Sequence, residues 1–175
     1  MFANLRDVKT ADDYVKYLDD FINSHFTDDY FSVTLPKDLI TSSTSSPAWL
    51  GYIAAINVLG NPMLFSTSIL SKYLVPGASG TKNEINRHHI FQKYYLVELV
   101  YKDDRDRNQV KNYTYIDYAT NIEISDDPSK EYVGRYREKP GEEGDRRTCS
   151  ENALPENFEK MEYPQFLEER RKLMA

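Results

Sequence analysis

Apolar residues recur at helical spacing near the start of the chain, where Tyr14, Leu18, Phe21 and Ile22 share one face. Thr10 stands before them as an N-cap with Asp13 at the third helical position, so the pattern predicts a helix from Thr10 to about His25. Residues Phe31–Ile40 mix β-branched and apolar side chains around Pro36, and the Ser/Thr run Thr41–Ser46 reads as a loop ending in a cap. Ser46 as cap and Pro47 at the first helical position open an apolar helix to Leu59, which Gly60, Asn61 and Pro62 close. With Gly51 and Asn57 inside it, this stretch is far short of the roughly 20 apolar residues of a bilayer span. It reads as a core helix. A shorter helix is expected over about Thr67–Leu74, stopped by Pro76 and Gly77 ahead of a polar linker, Ala78–Glu84.

From Ile85 the pattern changes. Ile85–Phe91 reads as a strand entering a turn, Tyr94–Tyr101 leans to helix, and a charged run covers Lys102–Arg107. Tyr113–Asp117 alternates and is rich in strand formers, so it is the second strand, with a helix starting near Ala119–Asn121. Beyond Pro140 the segments Arg146–Asn152 and Pro164–Leu173 read as short surface helices. The expected fold is therefore α+β: a mainly helical domain of three contiguous parts, residues 1–82, 83–136 and 137–175, the middle one holding the two strands.

Composition fits one globular domain: 175 residues, 40% hydrophobic and 29% charged. A lone cysteine, Cys149, and a start without a signal-peptide pattern favour a cytoplasmic protein. The net charge of −6 counts against a general nucleic-acid binder. Its distribution changes that picture. Residues 72–111 hold 8 basic and 5 acidic side chains, whereas residues 1–71 hold 4 and 8, and residues 112–175 hold 10 and 15. A basic segment thus lies between acidic flanks, and Arg87, Lys93, Arg105, Arg107 and Lys111 supply most of it.

That same segment contains the adjacent pair His88–His89 at the end of the first strand. Adjacent strand residues point to opposite faces, so the two imidazoles would have different jobs. Taken singly, a His pair is an ordinary surface feature and Asn112 an ordinary turn residue; the Asn112–Tyr113–Thr114 match to a glycosylation acceptor has no meaning in a cytoplasmic chain. What singles them out is the spacing: Asn112 opens the second strand, Asn121 follows nine positions later on the next helix, and Ser125 comes four beyond.

This arrangement, with the run His88-His89-Ile90-Phe91-Gln92-Lys93-Tyr94-Tyr95-Leu96, resembles the HNH nucleases, also called His-Me finger or ββα-metal nucleases. Gln92 stands where that family usually has proline. A closer resemblance is to the C-terminal nuclease part of GmrSD-type modification-dependent restriction endonucleases, carried by Ser42–Leu59, Arg87–Leu96, Arg105–Tyr113 and Asn121–Asp126. The resemblance implies that residues 83–136 form a ββα-metal finger that hydrolyses DNA phosphodiester bonds as the effector of a restriction or anti-phage system. His89 would be the general base, a role suited to an imidazole with a pKa near 6.5. His88 and Asn121 would hold one divalent ion, with Ser125 as a weaker or water-mediated ligand, and Asn112 would tie down the loop carrying the base. An amide oxygen favours Mg²⁺ or Mn²⁺, while the imidazole also accepts Zn²⁺ or Ni²⁺. The five basic residues would contact phosphates, Arg87 foremost. An NTPase domain or subunit of the GmrSD type is the implied partner, since this chain has no Gly-rich phosphate loop. Gln92 and the lack of an NTPase part also suit an alternative, a degenerate HNH-like domain that binds DNA or protein without cutting.

Overall fold

A computed structural model describes residues 9–74, 85–137 and 141–175. The first helix, α1 (Ala11–His25), begins where expected: the Thr10 hydroxyl accepts from the Asp13 amide. Its apolar face, however, is only partly covered: Tyr14 and Ile22 are exposed, while Leu18 and Phe21 are half-buried. Residues Tyr30–Thr34 form a π-helical turn running directly into α2 (Leu35–Asp38), and Pro36 is accommodated because it sits in the first turn, where no amide donor is required. Helix α3 (Pro47–Val58) has the predicted cap, the Ser46 hydroxyl accepting from the Trp49 amide. Only the end of the expected 67–74 helix forms, as α4 (Ser71–Leu74), because Ile69 instead bridges to Pro62. The predicted stop at Pro76–Gly77 and the whole of the 78–84 linker fall outside the described residues.

Strand β1 (Ile85–His89) is followed by α5 (Lys93–Glu98), α6 (Asp104–Arg107) and a 3₁₀ turn over Val110–Asn112 that leads into β2 (Tyr113–Asp117). The two strands form an antiparallel sheet in which Ile85 faces Asp117 and His89 faces Tyr113. Helix α7 (Tyr118–Ile124) starts at once, its N-cap Asp117 accepting from the Thr120 amide and hydroxyl, and it packs back on both strands. Then come α8 (Ser129–Arg137), α9 (Gly141–Glu151) and α10 (Tyr163–Met174). Among the described residues no helix is long and apolar enough to cross a membrane.

The last third of the chain corrects the expectation of short surface helices. Tyr132 and Val133 of α8, Phe158, and Tyr163 and Phe166 of α10 are buried with Ile90, Phe91, Leu96, Ile116 and Ile124 in one apolar cluster beneath the sheet. A second cluster joins Trp49 and Tyr52 of α3 to Leu39, Val110, Tyr113 and Met174. Tyr113 belongs to the second cluster and Ile116 to the first, so the two clusters hold β2 on its two faces.

Arg170 of α10 adds a polar anchor. Fully buried, its guanidinium donates to the carbonyls of Ala153, Asn152 and Lys111. Removing those donors leaves the buried Lys111 and Ala153 carbonyls without this partner, at roughly 1–3 kcal/mol each, while the Asn152 carbonyl keeps the Tyr52 hydroxyl. Arg170→Met is expected to lower unfolding free energy by about 3 kcal/mol in urea titrations, and to loosen the backbone directly before Asn112.

Candidate functional site

The strand pairing places His88 opposite Thr114 and His89 opposite Tyr113, and alternation turns the two imidazoles to opposite faces. His88 is only 3% exposed, whereas His89 is half-buried.

On the inner side, His88 Nδ1 lies 3.1 Å from Asn121 Oδ1, and its Nε2 lies 3.3 Å from the amide nitrogen of Gln92. The Gln92 amide donates, so Nε2 accepts and Nδ1–H donates to Asn121. The edge of the Tyr132 ring closes over the imidazole, with centroids 5.7 Å apart, while the Tyr132 hydroxyl donates to the Ile90 carbonyl. The Asp117 cap sets the phase of α7 and so aims Asn121 at β1. Burial pushes the His88 pKa down to about 4, against the smaller opposing effect of Asn121. In the unfolded chain the ring protonates near pH 6.5; in the folded, metal-free protein it stays neutral until about pH 4. The unfolded state therefore binds more protons across that window, and stability falls as pH drops through it, by about 3 kcal/mol at the lower end. Urea unfolding in EDTA at pH 7 and pH 4.5 should show this loss, and His88→Asn should reduce it.

On the other side, His89 Nε2 lies 3.0 Å from Asn108 Oδ1, an acceptor, so Nε2 carries the proton and Nδ1 is the free basic nitrogen. Its ring sits 4.6 Å from that of Tyr113, and the Arg87 guanidinium lies over the same tyrosine at 4.7 Å. Burial lowers the His89 pKa, and the charges of Lys93, Arg87 and Arg107 lower it further, against the Asn108 hydrogen bond. His89 is therefore a neutral imidazole at pH 7 with cations around it.

Asn112 joins the two halves. Completely buried, its Oδ1 accepts from the Phe91 amide at 2.8 Å, and its Nδ2 donates to the carbonyls of Phe91 and Arg107 at 2.9 and 3.1 Å. Its own carbonyl accepts from the Ile90 amide. One side chain thus fastens the turn directly after the His pair to the segment before β2.

The basic residues divide. Arg87 is exposed beside His89, Arg105 is exposed on α6, and Lys93 is exposed but paired with Asp104 at 2.8 Å. Arg107 is buried and braces its own loop, donating to the Tyr101 carbonyl and to Asp104. Lys111 is also buried, with its pKa lowered to about 8 by desolvation and by Arg171. Ser125 is an exposed C-cap of α7 with a positive φ of 52°.

Comparison with protein-family models, with curated proteins and with solved structures finds no match for this chain. The site must be judged on its own chemistry. Adjacent ligands of an octahedral ion with bonds of about 2.1 Å lie about 3.0 Å apart. His88 Nδ1 and Asn121 Oδ1, at 3.1 Å, have that separation. Among the described residues no three His, Cys, Asp or Glu side chains gather. A cation held by this nitrogen and this amide oxygen would therefore take most of its shell from water, as Mg²⁺ and Mn²⁺ accept. Asn108 and Tyr132 were not legible as site residues in the sequence, since one directly follows a charged run and the other belongs to a helix the pattern did not mark.

Proposed function

We propose that this chain is a divalent-metal-dependent endonuclease domain of the HNH, ββα-metal type, hydrolysing DNA phosphodiester bonds. The observation that carries the reading is the Asn112 side chain, which binds both backbone groups of Phe91 and so fixes the turn that follows His88–His89. A buried asparagine in that place is what the sequence resemblance calls for, and the antiparallel pair of β1 and β2 with α7 directly after β2 suits it equally.

The residues divide the work of hydrolysis among them. His89 Nδ1 takes the proton of the attacking water, while the Asn108 hydrogen bond at Nε2 holds the ring in the required tautomer. Arg87 and Lys93, both beside His89, attract the phosphate, and Arg105 extends the contact along the backbone. His88 and Asn121 would hold the cation, with Ser125, at the C-cap of α7, acting through water. When bound, such an ion supplies charge stabilisation at the phosphate and at the leaving oxygen. Arg107 and Lys111, both buried, act in this scheme by raising local positive charge and supporting the loop. The acidic remainder of the chain binds DNA poorly, which suits an effector that relies on an NTPase domain or subunit of the GmrSD kind in a restriction or anti-phage system.

A second reading, a silent domain that binds DNA or protein, is favoured by Gln92, whose amide sits on His88 Nε2 where the resembling family has proline. Nicking of supercoiled plasmid in Mg²⁺, Mn²⁺ and EDTA, with and without the NTPase partner and with modified and unmodified DNA, separates the two. Cleavage in either metal that EDTA stops is the expected result. Retardation of DNA in gels without any cleavage would favour the silent domain.

A further inference from the structure

Gln92 occupies the N-cap position of α5 yet makes no capping hydrogen bond with its side chain. It is 6% exposed, and its amide is turned inward onto His88 Nε2 instead. A buried glutamine that leaves its own helix amides uncapped to meet an imidazole is positioned for that imidazole. The two edges of the His88 ring also differ: the Gln92 contact is buried, while the Asn121 contact is only partly so. Asn121, the partner of Nδ1, is half-buried, whereas the partner of Nε2, Gln92, is buried with the ring.

We propose that Gln92 is a positioning residue that selects which nitrogen of His88 carries the proton and thereby readies Nδ1 for a cation. The inference rests on the reading above that His88 and Asn121 hold the ion. In the metal-free protein the Gln92 amide donates to Nε2, so the proton sits on Nδ1 and is shared with Asn121 Oδ1. A cation can bind Nδ1 only when that proton has left. With the Gln92 amide turned over, Oε1 replaces the NH₂ group at the same place and accepts a proton on Nε2. The ring stays neutral: one proton leaves Nδ1 to solvent and one arrives at Nε2. The amide is nearly the same shape in both orientations, so the change needs no repacking of Tyr132 or Leu96. A ligating imidazole whose second nitrogen donates to a fixed acceptor is held in orientation, and losing such a partner typically weakens metal binding 10–100-fold. Proline at this position offers His88 no such partner.

The test is ¹⁵N NMR of the histidine rings, together with Mn²⁺ affinity from electron paramagnetic resonance, on the full chain. Wild type without metal should show His88 protonated at Nδ1, and saturating Mg²⁺ should move the proton to Nε2. Gln92→Glu, an acceptor only, should place the proton on Nε2 before metal is added. Gln92→Leu should lose the single-tautomer signature and bind Mn²⁺ 10–100-fold more weakly. Identical tautomers and affinities in wild type and both variants would overturn the proposal, as would a wild-type ring already protonated at Nε2 without metal. Absence of Mn²⁺ binding in wild type would defeat the metal-site reading, and the metal-free tautomers of the three proteins would then judge Gln92 on their own. Should Gln92→Leu fail to fold, Gln92→Glu and wild type carry the comparison.

Discussion

Replacing His89 by alanine is expected to slow DNA cleavage by about 10²–10⁴-fold, the usual contribution of a positioned general base, while leaving the fold intact. The imidazole is half-buried, and its hydrogen bond to Asn108 is a single local one, so its loss removes little packing. Thermal unfolding of His89→Ala should therefore stay within a few degrees of wild type. The acid limb of the wild-type rate should lie below pH 6.5, because burial and three neighbouring cations favour the neutral base. Asn108→Ala should move that limb and lower the rate without removing the base itself, since Nε2 then has no acceptor to select its tautomer.

Asn112→Ala is expected to cost about 3–5 kcal/mol of stability, a larger structural effect than any other change at the site. The Phe91 amide and carbonyl lose their side-chain partner at a position with no access to water, and the Arg107 carbonyl keeps only the longer bond from the Tyr163 hydroxyl. Each unsatisfied group costs roughly 1–3 kcal/mol. For a chain of this length the loss corresponds to about 10 °C in melting temperature. Asn112→Asp should not rescue it, because a carboxylate would set a second acceptor against two carbonyl oxygens. Urea unfolding at pH 7 reads both variants directly. Cleavage should fall with stability, since the turn after the His pair is no longer fastened.

Much of the middle of the chain was legible in its pattern. Tyr113–Asp117 alternates as a strand must, and it is one; Ser46–Pro47 and Thr10 are caps because short side-chain oxygens there meet amides three residues on. Less was legible where tertiary packing decides. The Tyr132, Val133 and Tyr136 spacing of α8 is sparse among charged residues, and its buried face exists only because Phe158 and Phe166, distant in sequence, cover it. Arg107 and Lys111 belong to a basic segment in the sequence, but their side chains turn inward, and residue type alone does not reveal direction. Gln92 shows the converse: its residue type says nothing of a partner in the sequence, and its amide lies on His88 in the fold.

The most direct test compares wild type, His89→Ala and Asn121→Ala, purified side by side, for cleavage of supercoiled plasmid in Mn²⁺, alone and with an added GmrSD-type NTPase subunit. A metal-dependent HNH site requires wild type to cut and both variants to fall by at least about 10²-fold, with EDTA stopping all cleavage. Equal rates in the three proteins, or no cleavage by folded wild type under any of these conditions, would contradict it.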